Sequence, residues 1–223
     1  MAHVVTFDCY GTLVDFDLDR VARGILKERL RIDGVDAAEF LRDFRVMRFQ
    51  AVLQDYRPYK RLLCETLEQA MRLHGMPYCK EDGDALVAAV PTFGPFREVP
   101  AVLSRLKEKY RIAIISNTDD NLIRGNVERV GVAFDFVITA EQARAYKPQR
   151  GAFDFALRTI GCAADQVIHV AQGFEYDIIP THGLGMRRIW INRSGRRGSS
   201  AFMPYEELPD MRGLPALLGL SPP

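Results

Sequence analysis

Cysteine is scarce and scattered. The 223 residues carry four, Cys9, Cys64, Cys79 and Cys162. None are paired at metal-ligand spacing, so a zinc module is not expected. The N-terminus lacks a basic region followed by an apolar stretch, so no export signal is read there, and reduced thiols in a cytoplasmic protein are expected. An excess of one charge is also lacking. Thirty Lys and Arg face 29 Asp and Glu, for a net charge of +1. That balance gives no electrostatic case for nucleic acid or an anionic membrane. No apolar run approaches the length of a transmembrane helix, and there is no internal repeat or low-complexity stretch. What is left is the ordinary make-up of a soluble globular chain, 48% hydrophobic and 26% charged. Its length suits one sizeable core plus an insert, or two small domains.

One stretch organises the rest, Val4-Val5-Thr6-Phe7-Asp8-Cys9-Tyr10-Gly11-Thr12-Leu13. Its apolar start reads as a buried parallel strand. Asp8 then falls at the strand's C-terminal edge, where open α/β sheets bind ligands. It is a candidate nucleophile or metal ligand, and Gly11 permits close approach of the backbone to a small substrate. Cys9 has no basic neighbour in sequence and reads as a small pocket-lining residue.

Downstream, residues 17–91 show helical periodicity and no convincing strand. Helices are expected over about 17–30, 37–56, 58–75 and 82–90, with Phe40, Phe44, Met47 and Ala51 on one face of the second. The Pro-Thr-Phe-Gly-Pro stretch at 91–95 marks the return. Strand and helix then alternate: helix 96–110, strand 112–116, helix 121–130, strand 136–139, helix 151–160, strand 167–171, helix 177–184 and strand 188–191. That alternation predicts an α/β fold, a doubly wound parallel sheet. The tail, with Arg196 and Arg197, reads as a solvated loop.

Three further strand edges carry polar groups. Ser116-Asn117-Thr118 can hydrogen-bond an anion or cap the next helix. Tyr146-Lys147-Pro148 holds a lysine that, near Asp8, keeps a carboxylate ionised. Ala171-Gln172-Gly173-Phe174-Glu175-Tyr176-Asp177 brings a second carboxylate to a strand end. Four such motifs in order, each at a strand edge, resemble the haloacid dehalogenase superfamily over nearly the whole chain. The resemblance implies a Rossmann-like core over 1–14 and 96–223 with a helical cap domain over 15–95.

Within that superfamily the chain is similar to the L-2-haloacid dehalogenases. Phosphatases of the superfamily usually carry a second Asp two residues after the first, where this chain has Tyr10. They usually show Gly-Asp where it has Ala171-Gln172. Magnesium prefers hard carboxylate ligands, and Gln172 is neutral. The resemblance therefore implies a metal-free hydrolase with no cofactor, in which Asp8 displaces halide from a short 2-haloacid and water hydrolyses the ester to a 2-hydroxyacid. Thr12, Lys147 and Asp177 would support Asp8 or the water. Cys9, Tyr10, Ser116, Asn117 and an arginine of Phe44-Arg45-Val46-Met47-Arg48-Phe49-Gln50 would hold the substrate. Arg45 is the first choice and Arg48 the second, although Arg42, Arg45 and Arg48 also read as one solvated helix face. A homodimer is compatible with the branch.

Some positions depart from the dehalogenase pattern. A tyrosine is common six residues after the lysine, where this chain has Phe153. Ser and Asn are common at the positions of Ala171 and Gln172. Glu175 and His182 are nearby substitutes for the water-activating group, while His169 reads as a structural histidine inside a strand. Two other functions stay open: a magnesium-dependent phosphatase or phosphonate hydrolase using Asp8, and a non-catalytic binding protein that keeps the fold.

Overall fold

A computed structural model describes residues 4–220. Six parallel strands form one sheet in the order β3-β2-β1-β4-β5-β6. They are β1 (Val4–Phe7), β2 (Arg111–Ser116), β3 (Phe136–Thr139), β4 (Val167–Ala171), β5 (Arg187–Ile191) and β6 (Glu206–Leu208). β1 is central, in register with β2 through Phe7 and Ile114 and with β4 through Phe7 and Val170. The chain winds outward from β1 to β3, then returns past β1 to β4. That reversal opens a crevice at the C-terminal ends of β1 and β4.

Alternating side chains cover both faces of the sheet. Val5, Phe7, Ile112 and Ile114 join the larger core cluster, which also takes in Leu103 and Leu106 of α5 (Val99–Leu106) and Ile123 of α6 (Asp120–Val130). Val4, Ala113, Ile115 and Ile138 pack on Ala156 and Ile160 of α8 (Arg150–Ile160) on the opposite side. A single helical turn, α7 (Ala140–Ala143), follows β3.

Between β1 and α5 lie four helices, α1 (Leu18–Ile32), α2 (Ala37–Val52), α3 (Tyr59–Leu73) and α4 (Lys80–Ala89). Asp17 and Asp36 cap the first two through backbone N–H groups. This is the helical cap. The two chain segments joining it to the sheet run side by side. Asp15 N donates to Gly94 O at 2.9 Å and Phe96 N to Leu13 O at 3.0 Å.

Two segments differ from their sequence reading. The helix expected over 177–184 is a single wide π turn, Phe174–Ile178. Pro180 accounts for the early stop, since it has no N–H and disfavours helical geometry before it. The tail expected as a loop contains β6 and a short helix, α9 (Leu214–Leu217). Glu206 of β6 pairs with Arg187 of β5 at 2.6 Å, so charged residues form this sheet edge.

Candidate active site

Asp8 extends β1 by one step, its N–H donating to Val170 O at 3.1 Å. The chain then turns sharply. Cys9 O accepts from Thr12, Leu13 and Val14 N–H groups, and Gly11 takes φ +86°. A side chain at Gly11 would also crowd Gln172, whose Oε1 would sit 3.2 Å from its Cβ. This turn brings Thr12 back beneath Asp8. Thr12 Oγ1 donates to Asp8 Oδ2 at 2.7 Å and accepts from Gln172 N at 2.8 Å.

The other Asp8 oxygen meets Lys147. Lys147 Nζ lies 2.9 Å from Asp8 Oδ1 and 2.6 Å from Asp177 Oδ1. All three groups are buried. An ammonium between two carboxylates leaves the cluster with one net negative charge. Burial pushes the Asp8 carboxyl up; Lys147 opposes this and the Asp177 charge adds to it, so Asp8 sits above the ordinary carboxylate value. Asp177 is buried too, yet Lys147 and then His169 outweigh burial and hold it below that value. Lys147 is raised despite burial, by Asp177 and then Asp8.

The π turn aims Asp177 inward. Its N–H bonds to Gly173 O at 2.8 Å, and Gly173 leaves room for its carboxylate, since a Cβ there would come within 2.6 Å of Oδ2. Asp177 Oδ1 accepts from both Lys147 and His169 Nε2, the latter at 3.0 Å. Oδ2 is buried with no hydrogen-bond partner among the described residues. His169 is therefore part of this site. An ionised Asp177 only accepts, so Nε2 carries the proton, while Nδ1 faces the Thr6 hydroxyl at 2.8 Å. The sequence offers no signal for that contact beyond a histidine in an apolar strand.

A cavity of about 290 Å³ opens over Asp8. Lys147, Asn117, Gln172, Gly173 and Asp177 line it from the sheet side, with Tyr10, Phe16, Arg45, Arg48, Val52, Tyr59 and Tyr176 around them. The candidate residues divide accordingly. Asp8, Tyr10, Arg45, Asn117, Lys147 and Asp177 line the cavity, and Thr12 stands behind Asp8. Cys9 and Ser116 are buried outside that lining. Burial pushes the Cys9 thiol far up, so it stays protonated. Ser116 Oγ has no hydrogen-bond partner among the described residues.

Asn117 lines the cavity, and its side-chain amide is bonded to the backbone of Lys147. Its Oδ1 accepts from Lys147 N at 2.7 Å and its Nδ2 donates to Lys147 O at 2.8 Å. The side chain clamps the lysine's backbone. Tyr10 presents its ring to the cavity, stacked on Phe16 at 4.0 Å. Its hydroxyl is engaged elsewhere, 3.2 Å from Thr118 Oγ1 and 3.1 Å from Asn126 Oδ1. Of the two arginines, Arg45 has an exposed side chain that pairs with Asp19. Arg48 lies deeper. It also bonds Asp19, at 2.8 Å, stacks over Phe44, and keeps Nε buried with no partner among the described residues. Among the described residues His182 bonds no carboxylate; its Nδ1 lies 3.0 Å from Arg188.

The cap is held over this site from below. Asp119 accepts from Tyr59 N at 2.7 Å and Lys60 N at 2.9 Å, capping α3, whose own N-cap, Pro58, makes no side-chain bond. Tyr146 Oη donates to Arg57 O at 2.7 Å. Asp119 thereby fixes Tyr59 at the cavity wall.

A magnesium ion, common in this superfamily's phosphatases, does not fit the donor set. Gln172 contributes a neutral amide, Asp177 Oδ1 is already shared by two donors, and the Lys147 ammonium fills the space between the carboxylates.

The haloacid dehalogenase-like hydrolase family model matches residues 2–180. (S)-2-haloacid dehalogenase 1 of Pseudomonas sp. (strain CBS-3) is 25% identical over 222 residues, 95% of this chain and 94% of that one. (S)-2-haloacid dehalogenase 4A of Burkholderia cepacia is 23% identical over 203 residues, 90% of this chain and 87% of that one. The structure of L-2-haloacid dehalogenase from Xanthobacter autotrophicus with chloropropionic acid covalently bound aligns with a TM-score of 0.80 at 20% identity, over 98% of this chain and 99% of that one. With a buried Asp-Lys-Asp cluster at the switch point of a parallel sheet, and a family model spanning most of its length, the chain belongs to the haloacid dehalogenase-like hydrolases.

Proposed function

We propose that this hydrolase is a metal-independent dehalogenase of 2-haloacids that works through an ester on Asp8. One observation carries the reading. Asp8 is clamped at both oxygens, by Thr12 and Lys147, and among the described residues that line the cavity its only fellow carboxyl is Asp177, which Lys147 and His169 hold below the ordinary carboxylate range. Tyr10 stands where the superfamily's phosphatases usually carry a second Asp, and its hydroxyl is bonded away from the cavity. Displacing halide needs no acid, because halide leaves as a stable anion. Displacing an alkoxide from phosphorus generally does.

In the first step an Asp8 oxygen attacks C2. The carbon–halogen bond breaks, halide leaves with its electron pair, and C2 inverts. Arg48, whose Nε has no partner among the described residues, is the favoured site for the substrate carboxylate, and Arg45 stands beside it at the rim. In the second step water attacks the Asp8 carbonyl carbon. Asp177 Oδ2 accepts the water's proton, and Lys147 stabilises the oxyanion. The ester bond to the C2 oxygen then breaks, the departing alkoxide takes the proton held on Asp177 to give the 2-hydroxyacid, and the second proton of the water leaves Asp8 for solvent, restoring its carboxylate.

The test measures halide release from L-2-chloropropionate and phosphate release from a generic phosphate monoester, each with magnesium and with a chelator. Halide release that survives chelation and disappears in Asp8→Asn supports the proposal. Phosphate release that needs magnesium refutes it, and silence on both substrates points to a chain that binds without turnover.

A further inference from the structure

The cavity over Asp8 exceeds what a three-carbon haloacid fills. It measures about 290 Å³. A buried cavity of ~150 Å³ is enough for benzene, which has as many heavy atoms as 2-chloropropionate. On that scale the cavity has room for roughly twice the heavy atoms of 2-chloropropionate.

The chemistry of the surplus space is apolar and aromatic. The reacting carboxylate and Lys147 occupy the floor. Around it stand Phe16, Val52, Tyr59 and Tyr176, with the Tyr10 ring beside Phe16. These walls are braced. Phe16 is stacked on Tyr10 at 4.0 Å and edge-on to Phe93 at 4.9 Å. Tyr176 is edge-on to Phe49 of α2 at 5.1 Å. Tyr59 is fixed at the start of α3 by Asp119. Braced rings do not collapse into an empty volume, so a short substrate leaves them uncovered.

Taking the dehalogenase reading of Asp8 as its basis, the geometry points to 2-haloacids that carry an aryl group on C2 through a one-carbon arm, 2-chloro-3-phenylpropionate being the simplest. Its carboxylate goes to Arg48 and its C2 to Asp8. Its ring meets the faces and edges of Tyr59, Tyr176 and Phe16, where aromatic pairs are favourable beyond the area they bury. The product is the matching 2-hydroxy-3-phenyl acid.

The experiment compares halide release from L-2-chloropropionate and L-2-chloro-3-phenylpropionate by the native chain. The expected kcat/KM is at least about tenfold higher for the phenyl substrate, mainly through a lower KM. Competitive inhibition supplies a second measurement on the same protein: L-3-phenyllactate is expected to inhibit at least about tenfold more tightly than lactate. Val52→Phe narrows the wall and is expected to lower the phenyl-to-methyl ratio of kcat/KM by a similar factor. Halide release from chloropropionate with no preference for the phenyl substrate, and no preference for phenyllactate, overturns this inference alone. No halide from either substrate overturns the dehalogenase reading, and this inference with it.

Discussion

Replacing Lys147 by methionine tests the electrostatic account of the site. The ammonium lies 2.9 Å from Asp8 Oδ1 and 2.6 Å from Asp177 Oδ1. At an effective dielectric of about 20, each contact is worth ~6 kcal/mol of attraction. Desolvating the three buried charges offsets much of that sum. Removing one partner of a buried ion pair still costs about 3–5 kcal/mol, because a charge is left uncompensated. Here two carboxylates are left facing each other, so one takes up a proton and its folded-state pKa rises. The sign follows from linkage. A carboxyl whose folded pKa is above its unfolded value contributes stability below the unfolded pKa, and loses it as pH rises through the folded pKa. The Lys147→Met deficit is therefore expected to grow with pH. Urea denaturation of both proteins at pH 5.5 and pH 8.5 measures it. The deficit at the higher pH is expected to be about 3–5 kcal/mol and to exceed that at the lower pH by at least ~1.4 kcal/mol, one proton over one pH unit. A deficit below ~1 kcal/mol, or one equal at both pH values, refutes the cluster as described.

Thr12→Val removes the donor to Asp8 Oδ2 and leaves Gln172 N–H without its acceptor. A loss of about 2–3 kcal/mol in denaturant titrations is expected, together with a fall in kcat. In the native enzyme the acid limb of kcat/KM is expected above the ordinary carboxylate pKa, because burial raises Asp8 and only its ionised form attacks. Thr12→Val moves that limb further up, since the lost bond favoured the charged form; an unmoved limb would count against Asp8 as the titrating group. His169→Phe leaves Asp177 with Lys147 alone. Halide is expected in a burst of about one equivalent followed by slow turnover, with the Asp8 ester detectable by mass spectrometry and partial recovery in His169→Gln; equal slowing of both steps would make His169 a packing residue only. Asp119→Ala unties the start of α3 from the sheet domain, with an expected cost of about 1–2 kcal/mol and a melting temperature lower by roughly 2–8 °C.

The sheet was legible because its strands are short apolar runs that end on polar residues. Val4–Phe7 and Val167–Ala171 are buried throughout, so no alternation was needed to find them. Helix stops were equally clear where glycine closes a helix, as at Gly131 and Gly161, both at positive φ. β6 was hidden by its composition. Two glutamates in three residues carry no strand signal, and the pairing comes from Arg187 on the neighbouring strand. In the site, Asp8, Lys147 and Asp177 were legible from their places at strand edges. Asn117 was legible as a strand-edge residue but not as a clamp on the lysine, since its partners are the peptide groups of Lys147, thirty residues away in sequence. Which of Arg45 and Arg48 lies deeper depended on how α2 is rotated. Phe44 is buried, and the residue four positions on shares its face. That residue is Arg48, whose guanidinium covers the Phe44 ring at 4.4 Å.

The departures from the dehalogenase pattern fall together in space. Phe153 stands where a tyrosine is common, and it has no hydroxyl to offer. Its ring meets the His169 ring edge-on at 5.8 Å, and His169 is the residue that donates to Asp177. The fourth motif changes in the same direction. Ala171 and Gln172 carry neither the hydroxyl nor the acid of the related patterns, but Gln172 N–H bonds Thr12, which holds Asp8. Gly173 and the π turn then bring Asp177 in with one oxygen bonded twice and the other without a partner among the described residues. Under the proposed reaction, that second oxygen is where the hydrolytic water loses its proton. Phe153 and Gln172 thus stand beside His169 and Thr12, the residues that hold Asp177 and Asp8. This is why a change at His169 is expected to slow ester hydrolysis while sparing the attack of Asp8.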